Sequence, residues 1–161
     1  MSKVTASTLI ILLASLLNGC NDNEPSSNTS ATDTPSTVCY AGKFPGEDSA
    51  IELTIDKNNV TGYYAWSPHE KDGSFGKLVG TIDNGKITAK YTYVIEGSRD
   101  ISEVAFTLKG KILSQGSGEL IEKKGELVFK NPSDIKWENP HEEINCDKVS
   151  KLIGYARDAV K

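Results

Sequence analysis

The runs IELTI (51–55), VTGYYAW (60–66), KLVGTI (77–82), KITAKYTYVI (86–95), SEVAFTLKG (102–110), GELI (118–121) and ELVF (126–129) decide how this chain folds. Apolar and polar residues alternate within them, as they must in a strand with one face buried and one in water. Gly, Asn, Asp and Lys separate the runs and mark tight connections, Asp83-Asn84-Gly85 most clearly. Val60, Gly62, Tyr64 and Trp66 fall on one face, and Gly62 there signals a bend or a close backbone approach. Ile87, Ala89, Tyr91, Tyr93 and Ile95 share a face of a long strand, and Val104, Phe106 and Leu108 share one of the next.

Upstream, 38–44 reads as the first strand and Pro45-Gly46-Glu47-Asp48 as a turn. In the next turn, Asp56-Lys57-Asn58-Asn59, the asparagines are the expected left-handed residues. The stretch 67–75 is the longest expected loop. Downstream, Gly116-Ser117-Gly118 interrupts the pattern before the last two runs. Asn131 to Trp137 reads as a turn, with Trp137 packed on a barrel end. About eight strands with short connections predict an all-β fold: a small antiparallel up-and-down, lipocalin-like β-barrel over 38–146. A two-sheet sandwich is the alternative. A C-terminal helix is expected over 147–161, N-capped by Asp147, with Val149, Leu152, Ile153, Ala156 and Val160 as its apolar stripe. It is expected to pack on the barrel, the alternative being a partner or membrane surface.

The N-terminus is read as an address. Lys3 precedes a short apolar run, 9–17, too short to span a bilayer. It ends in Leu17-Asn18-Gly19-Cys20, which resembles a bacterial lipobox, so 1–19 is expected to be a lipoprotein signal peptide and Cys20 the lipid-bearing first residue of the mature chain. An ordinary signal peptide cut near Gly19 is the alternative. Acyl chains on Cys20 would give stable membrane attachment. Asn21, and not Asp, follows the cysteine, which by the same resemblance implies the outer membrane, with the domain facing the periplasm or the cell surface. Residues 20–37 are Ser, Thr, Asn, Asp and Pro with almost nothing apolar, and read as a tether. With Cys20 lipidated, Cys39 and Cys146 remain as an even pair in an oxidising compartment, and a disulfide between them is expected; a metal role is the weaker alternative.

The 161 residues carry a net charge of −4 with no basic patch, which argues against a nucleic-acid partner. Several short motifs in order resemble a family of small lipoproteins of Gram-negative bacteria. They include Val60-Thr61-Gly62, Ala89-Lys90-Tyr91-Thr92-Tyr93, Glu103-Val104-Ala105-Phe106, Gly116-Ser117-Gly118-Glu119 and Val128-Phe129-Lys130-Asn131-Pro132. The resemblance implies an exported, lipid-anchored β-domain and carries no activity with it.

Catalysis is not expected. His69, Glu70 and Asp72, and His141, Glu142 and Glu143, hold potential metal donors but read as solvated charges in loops. Gly116-Ser117-Gly118 lacks the nucleophile-elbow pattern, and no phosphate loop or dinucleotide fingerprint occurs, so no metal or cofactor is expected. Glu96, Glu103, Glu119 and Glu122 are expected to pair across strands with Arg99, Lys109 and Lys123. Tyr64, Trp66, Tyr91, Tyr93 and Phe106 are assigned inward. In so small a barrel the plainer expectation is that they fill the core. The alternative is a cup for a small amphipathic or apolar ligand. Binding such a molecule, or an envelope protein through loops seeded by Phe75, is the expected role.

Overall fold

The computed structural model describes residues 34–161. Ten strands form one sheet: β1 (Ser36–Phe44), β2 (Glu47–Asp56), β3 (Asn59–Pro68), β4 (Ser74–Asp83), β5 (Lys86–Ile95), β6 (Ser98–Lys109), β7 (Ile112–Ser117), β8 (Leu120–Lys123), β9 (Glu126–Phe129) and β10 (Lys136–Ile144). The first seven pair as antiparallel neighbours in chain order, and β10 joins β7 to β1, which closes an eight-stranded barrel. The up-and-down barrel is therefore as expected, but its eighth wall strand is not.

The stretch 131–137, read as a turn, is a single 3-10 turn (Pro132–Asp134) followed by the start of β10. Strand β10 has no apolar alternation because His141 is its only buried residue. Pro140 would normally argue against a wall strand. It is tolerated here because the register shifts between Glu138 and Pro140, with Asn139 left-handed at φ 47°. Trp137 lies on the outer face of this strand under Lys86, and not on a barrel end.

The runs at 118–121 and 126–129 form a hairpin appended to the wall. Strands β6 and β7 pair only from Phe106↔Gln115 to Lys109↔Ile112 and then diverge. Strand β9 docks beside the freed half of β6 through the parallel pair Ser102↔Leu127. Glu103 Oε2 accepts the Phe129 N–H at 2.9 Å, and Lys90 reaches Glu126 at 2.6 Å. Two of the four carboxylates thus find partners other than those expected: Glu103 takes a backbone N–H, and Glu119 takes Lys130.

Turn chemistry sets the hairpins. Asn84-Gly85, Glu96-Gly97 and Lys124-Gly125 each place two successive residues at positive φ, the geometry that matches strand twist. In the second hairpin the left-handed residue is Lys57, and neither asparagine. Wall curvature needs glycine where strands crowd. A Cβ on Gly62 would lie 1.9 Å from the Glu52 carbonyl oxygen, and one on Gly76 2.1 Å from that of Thr92. Only a residue without a side chain fits such an approach.

The barrel's end nearest the start of β1 is solid. Ile51, Leu53, Val60, Leu78, Ile87, Phe106 and Leu113 are all fully buried there in one cluster. Helix α1 (Ser150–Ala159) packs outside, across β2, β3 and β4. Ile153 and Val149, the residue before the helix, meet Cys39 and Ala50, small outer residues that permit close approach. Phe75 lies in β4 and not in the loop, edge-on to Tyr155 of this helix with ring centroids 6.0 Å apart. Asp147 is not the N-cap. A 3-10 turn (Cys146–Lys148) intervenes, capped by Asn145, and the helix begins after Val149.

The disulfide Cys39–Cys146 is present, with Cα atoms 5.1 Å apart. It crosses the seam between β1 and β10, where only Cys39, Ala41 and the Tyr40 between them pair with Ile144, Glu142 and Glu143.

Candidate functional site

At the other end the barrel is hollow. A recess of about 440 Å³ opens between the β1–β2, β3–β4 and β5–β6 connections. The alternation of strands β3 and β5 delivers Tyr64, Trp66, Tyr91 and Tyr93 to its wall, four of the five aromatic residues singled out from sequence. The fifth, Phe106, lies below, fully buried and edge-on to Tyr64 at 6.2 Å. It belongs to the solid core because the ladder sets it opposite Ile87, one layer deeper than the cup. Phe106 thus fills the core, and Tyr64 and Tyr91, which are nearly buried themselves, belong to the same core cluster while lining the recess.

The polar tips of three of the rings are engaged. Tyr64 Oη donates to Gln115 Oε1 at 3.1 Å, and Tyr91 Oη donates to the Tyr64 carbonyl at 3.0 Å. Trp66 Nε1 donates to Glu47 Oε2 at 2.9 Å. Tyr91 and Tyr93 stack with centroids 4.7 Å apart. Burial, chiefly, pushes the Tyr64 phenol up to about 12, aided by the charge of Glu47 and opposed by its bond to Gln115. Tyr91 and Tyr93 are raised for the same first reason, with Asp100 adding to the rise at Tyr93. The cup therefore presents neutral phenols. Where β6 and β7 diverge, a side recess of about 310 Å³ shares Ser102, Val104, Gln115 and Asn139 with it.

Sequence reasoning missed Glu47, Ser49, Gln115 and Asn139. Glu47 sat inside an expected turn, and no local pattern marks the others. His141 was misplaced with the solvated charges; it is 1% exposed, inside the wall. Its Nδ1 donates to the Asn139 carbonyl at 2.8 Å, which fixes Nε2 as an acceptor for the Ser49 hydroxyl at 2.6 Å. Ser49 reaches it across Gly42, whose missing side chain opens the path: a Cβ there would sit 2.7 Å from Ser49 Oγ and 2.8 Å from His141 Cδ2. The bond is a second clasp over the β1–β10 seam.

Burial lowers the His141 pKa, against smaller opposing contributions from backbone hydrogen bonds. The folded state then binds its proton less readily than the unfolded chain does. The stability this neutral imidazole contributes is present above about pH 6.5 and is lost as pH falls from there toward the lower folded value. We expect thermal melts followed by circular dichroism to show this fall, at no more than about 1.4 kcal/mol per pH unit from this group. His141→Gln should flatten it, and an equally steep profile in the variant would contradict the assignment.

His69 pairs at 3.6 Å with Asp48 on the rim, and Glu143 pairs with Lys111. Among the described residues no group of three His, Cys, Asp or Glu side chains gathers to hold a metal ion. Cys20 and residues up to 33 lie outside the described residues. No protein-family model matches this sequence, and no curated protein or solved structure matches it significantly.

Proposed function

We propose that this chain is a lipid-anchored envelope protein of the small-lipoprotein family it resembles, and that it acts by binding a small amphipathic molecule in the cup, without catalysis. The observation that carries this is a hollow lined by Tyr64, Trp66, Tyr91 and Tyr93 in a barrel whose other half is filled. Rings around a concave space, with a few fixed polar groups, are what a small-molecule site needs. Strand β1 begins at the solid end, where Ser36 pairs with Ile55.

The test is native mass spectrometry of the full chain purified from its membrane. A retained small molecule is expected, and Ser102→Phe, which puts a ring into the cup, should weaken or abolish its retention. A second reading has one observation in its favour. Strand β8 leaves one edge unpaired among the described residues, with Leu120 and Ile121 about 40% exposed. Such an edge suits strand addition by an envelope protein. A bare mass in both proteins would move the role there.

A further inference from the structure

The charge of the cup is one-sided. Of the thirteen residues that line it, Glu47 is the only ionisable one besides its tyrosines, and none is basic. Glu47 points inward with Ser49 and Ile51, and its bond to Trp66 holds the carboxylate at the rim beside an indole ring. A carboxylate offers about four acceptor positions, of which Trp66 occupies one. Asp100 faces Tyr93 across the β5–β6 ladder and adds a second negative charge on the same side. The rim adds only a small excess of the same sign: Asp48, Glu70, Asp72 and Glu96 stand there against Lys43, Lys71 and Arg99. His141, the nearest buried base, is held toward its neutral form behind the wall.

Aromatic rings with a carboxylate beside them attract cations. The ring quadrupole draws a positive charge, and more strongly once water is excluded. The same arrangement repels a fatty-acid carboxylate or a phosphate, since no cation in the cup would neutralise it.

Resting on the ligand-binding cup proposed above, we infer that the bound molecule is a small organic cation of the alkylammonium or quaternary ammonium class, its charge lodged between Glu47 and the rings of Trp66 and Tyr93 and its apolar part directed toward Val104.

Calorimetric titration of the full chain with benzyltrimethylammonium, benzyl alcohol and phenylacetate tests this, because the three share a benzyl group and differ in charge. The cation should bind about tenfold or more tighter than the anion, a gap of about one close charge interaction. Glu47→Gln keeps an acceptor for Trp66 and should weaken the cation about tenfold, and benzyl alcohol by clearly less than the cation; Asp100→Asn should weaken the cation less than Glu47→Gln does. Equal binding of all three probes, or preference for phenylacetate, overturns the cation assignment and leaves the cup as a binding site. No binding of any probe to the wild-type chain, with a bare native mass, overturns both.

Discussion

Replacing Cys39 and Cys146 together by serine should lower the unfolding free energy by about 4–5 kcal/mol. The bridge spans 107 residues of sequence, so it removes a large share of the unfolded chain's freedom. It also crosses the weakest seam of the wall, where β1 and β10 share three residue pairs against ten between β2 and β3. The fully paired strands cannot substitute, because no other ladder joins β1 to the rest of the barrel on that side. Urea unfolding of the double variant should show the midpoint shifted down. A loss under about 1 kcal/mol would mean that the Ser49–His141 bond and the packing of α1 hold the seam without sulfur.

Phe106→Ala should cost about 3–5 kcal/mol, the range for emptying a large aromatic site in a packed core. Phe106 is fully buried and braces Tyr64, which in turn holds Gln115. Trp66, half-buried at the rim, is the contrast: Trp66→Ala should cost only about 1 kcal/mol of stability while impairing binding. Denaturant titration of the two variants separates floor from lining. A small loss at Phe106 would mean that the barrel is loosely filled below the cup as well as at its mouth.

What could be read from residues alone follows from which features are local. Alternation in 51–55 and 86–95, and the Asn84-Gly85 turn, state their structure within a few residues, so the meander and its inward faces were legible. Pairing Cys39 with Cys146 needed only the expectation of an oxidising compartment and of a lipidated Cys20, which leaves an even count. Strand β10 was illegible because its contribution is backbone: it pairs with β7 and β1 while exposing nearly every side chain, and Pro140 hides its character. The hairpin β8–β9 misled for the opposite reason. Its alternation is real, but where a hairpin docks is set by β6 and β7 diverging, a tertiary event that no short pattern records. His141 looked like a solvated charge because its neighbours are glutamates; its burial comes from Gly42 and Ser49, nearly a hundred residues away. The four ring residues of the cup were found by period two. Phe106 shares that period and points inward as expected, but it fills the core and does not line the recess, because alternation reports the side of a strand and not the depth along the barrel.

One comparison bears on all of this most directly: the native mass of the wild-type full chain against that of Ser102→Phe. A wild-type mass carrying a small molecule, reduced or lost when a ring intrudes into the cup, is the expected result. Identical masses with nothing bound, in a folded protein with its disulfide intact, would show that the hollow end of the barrel is not a binding site.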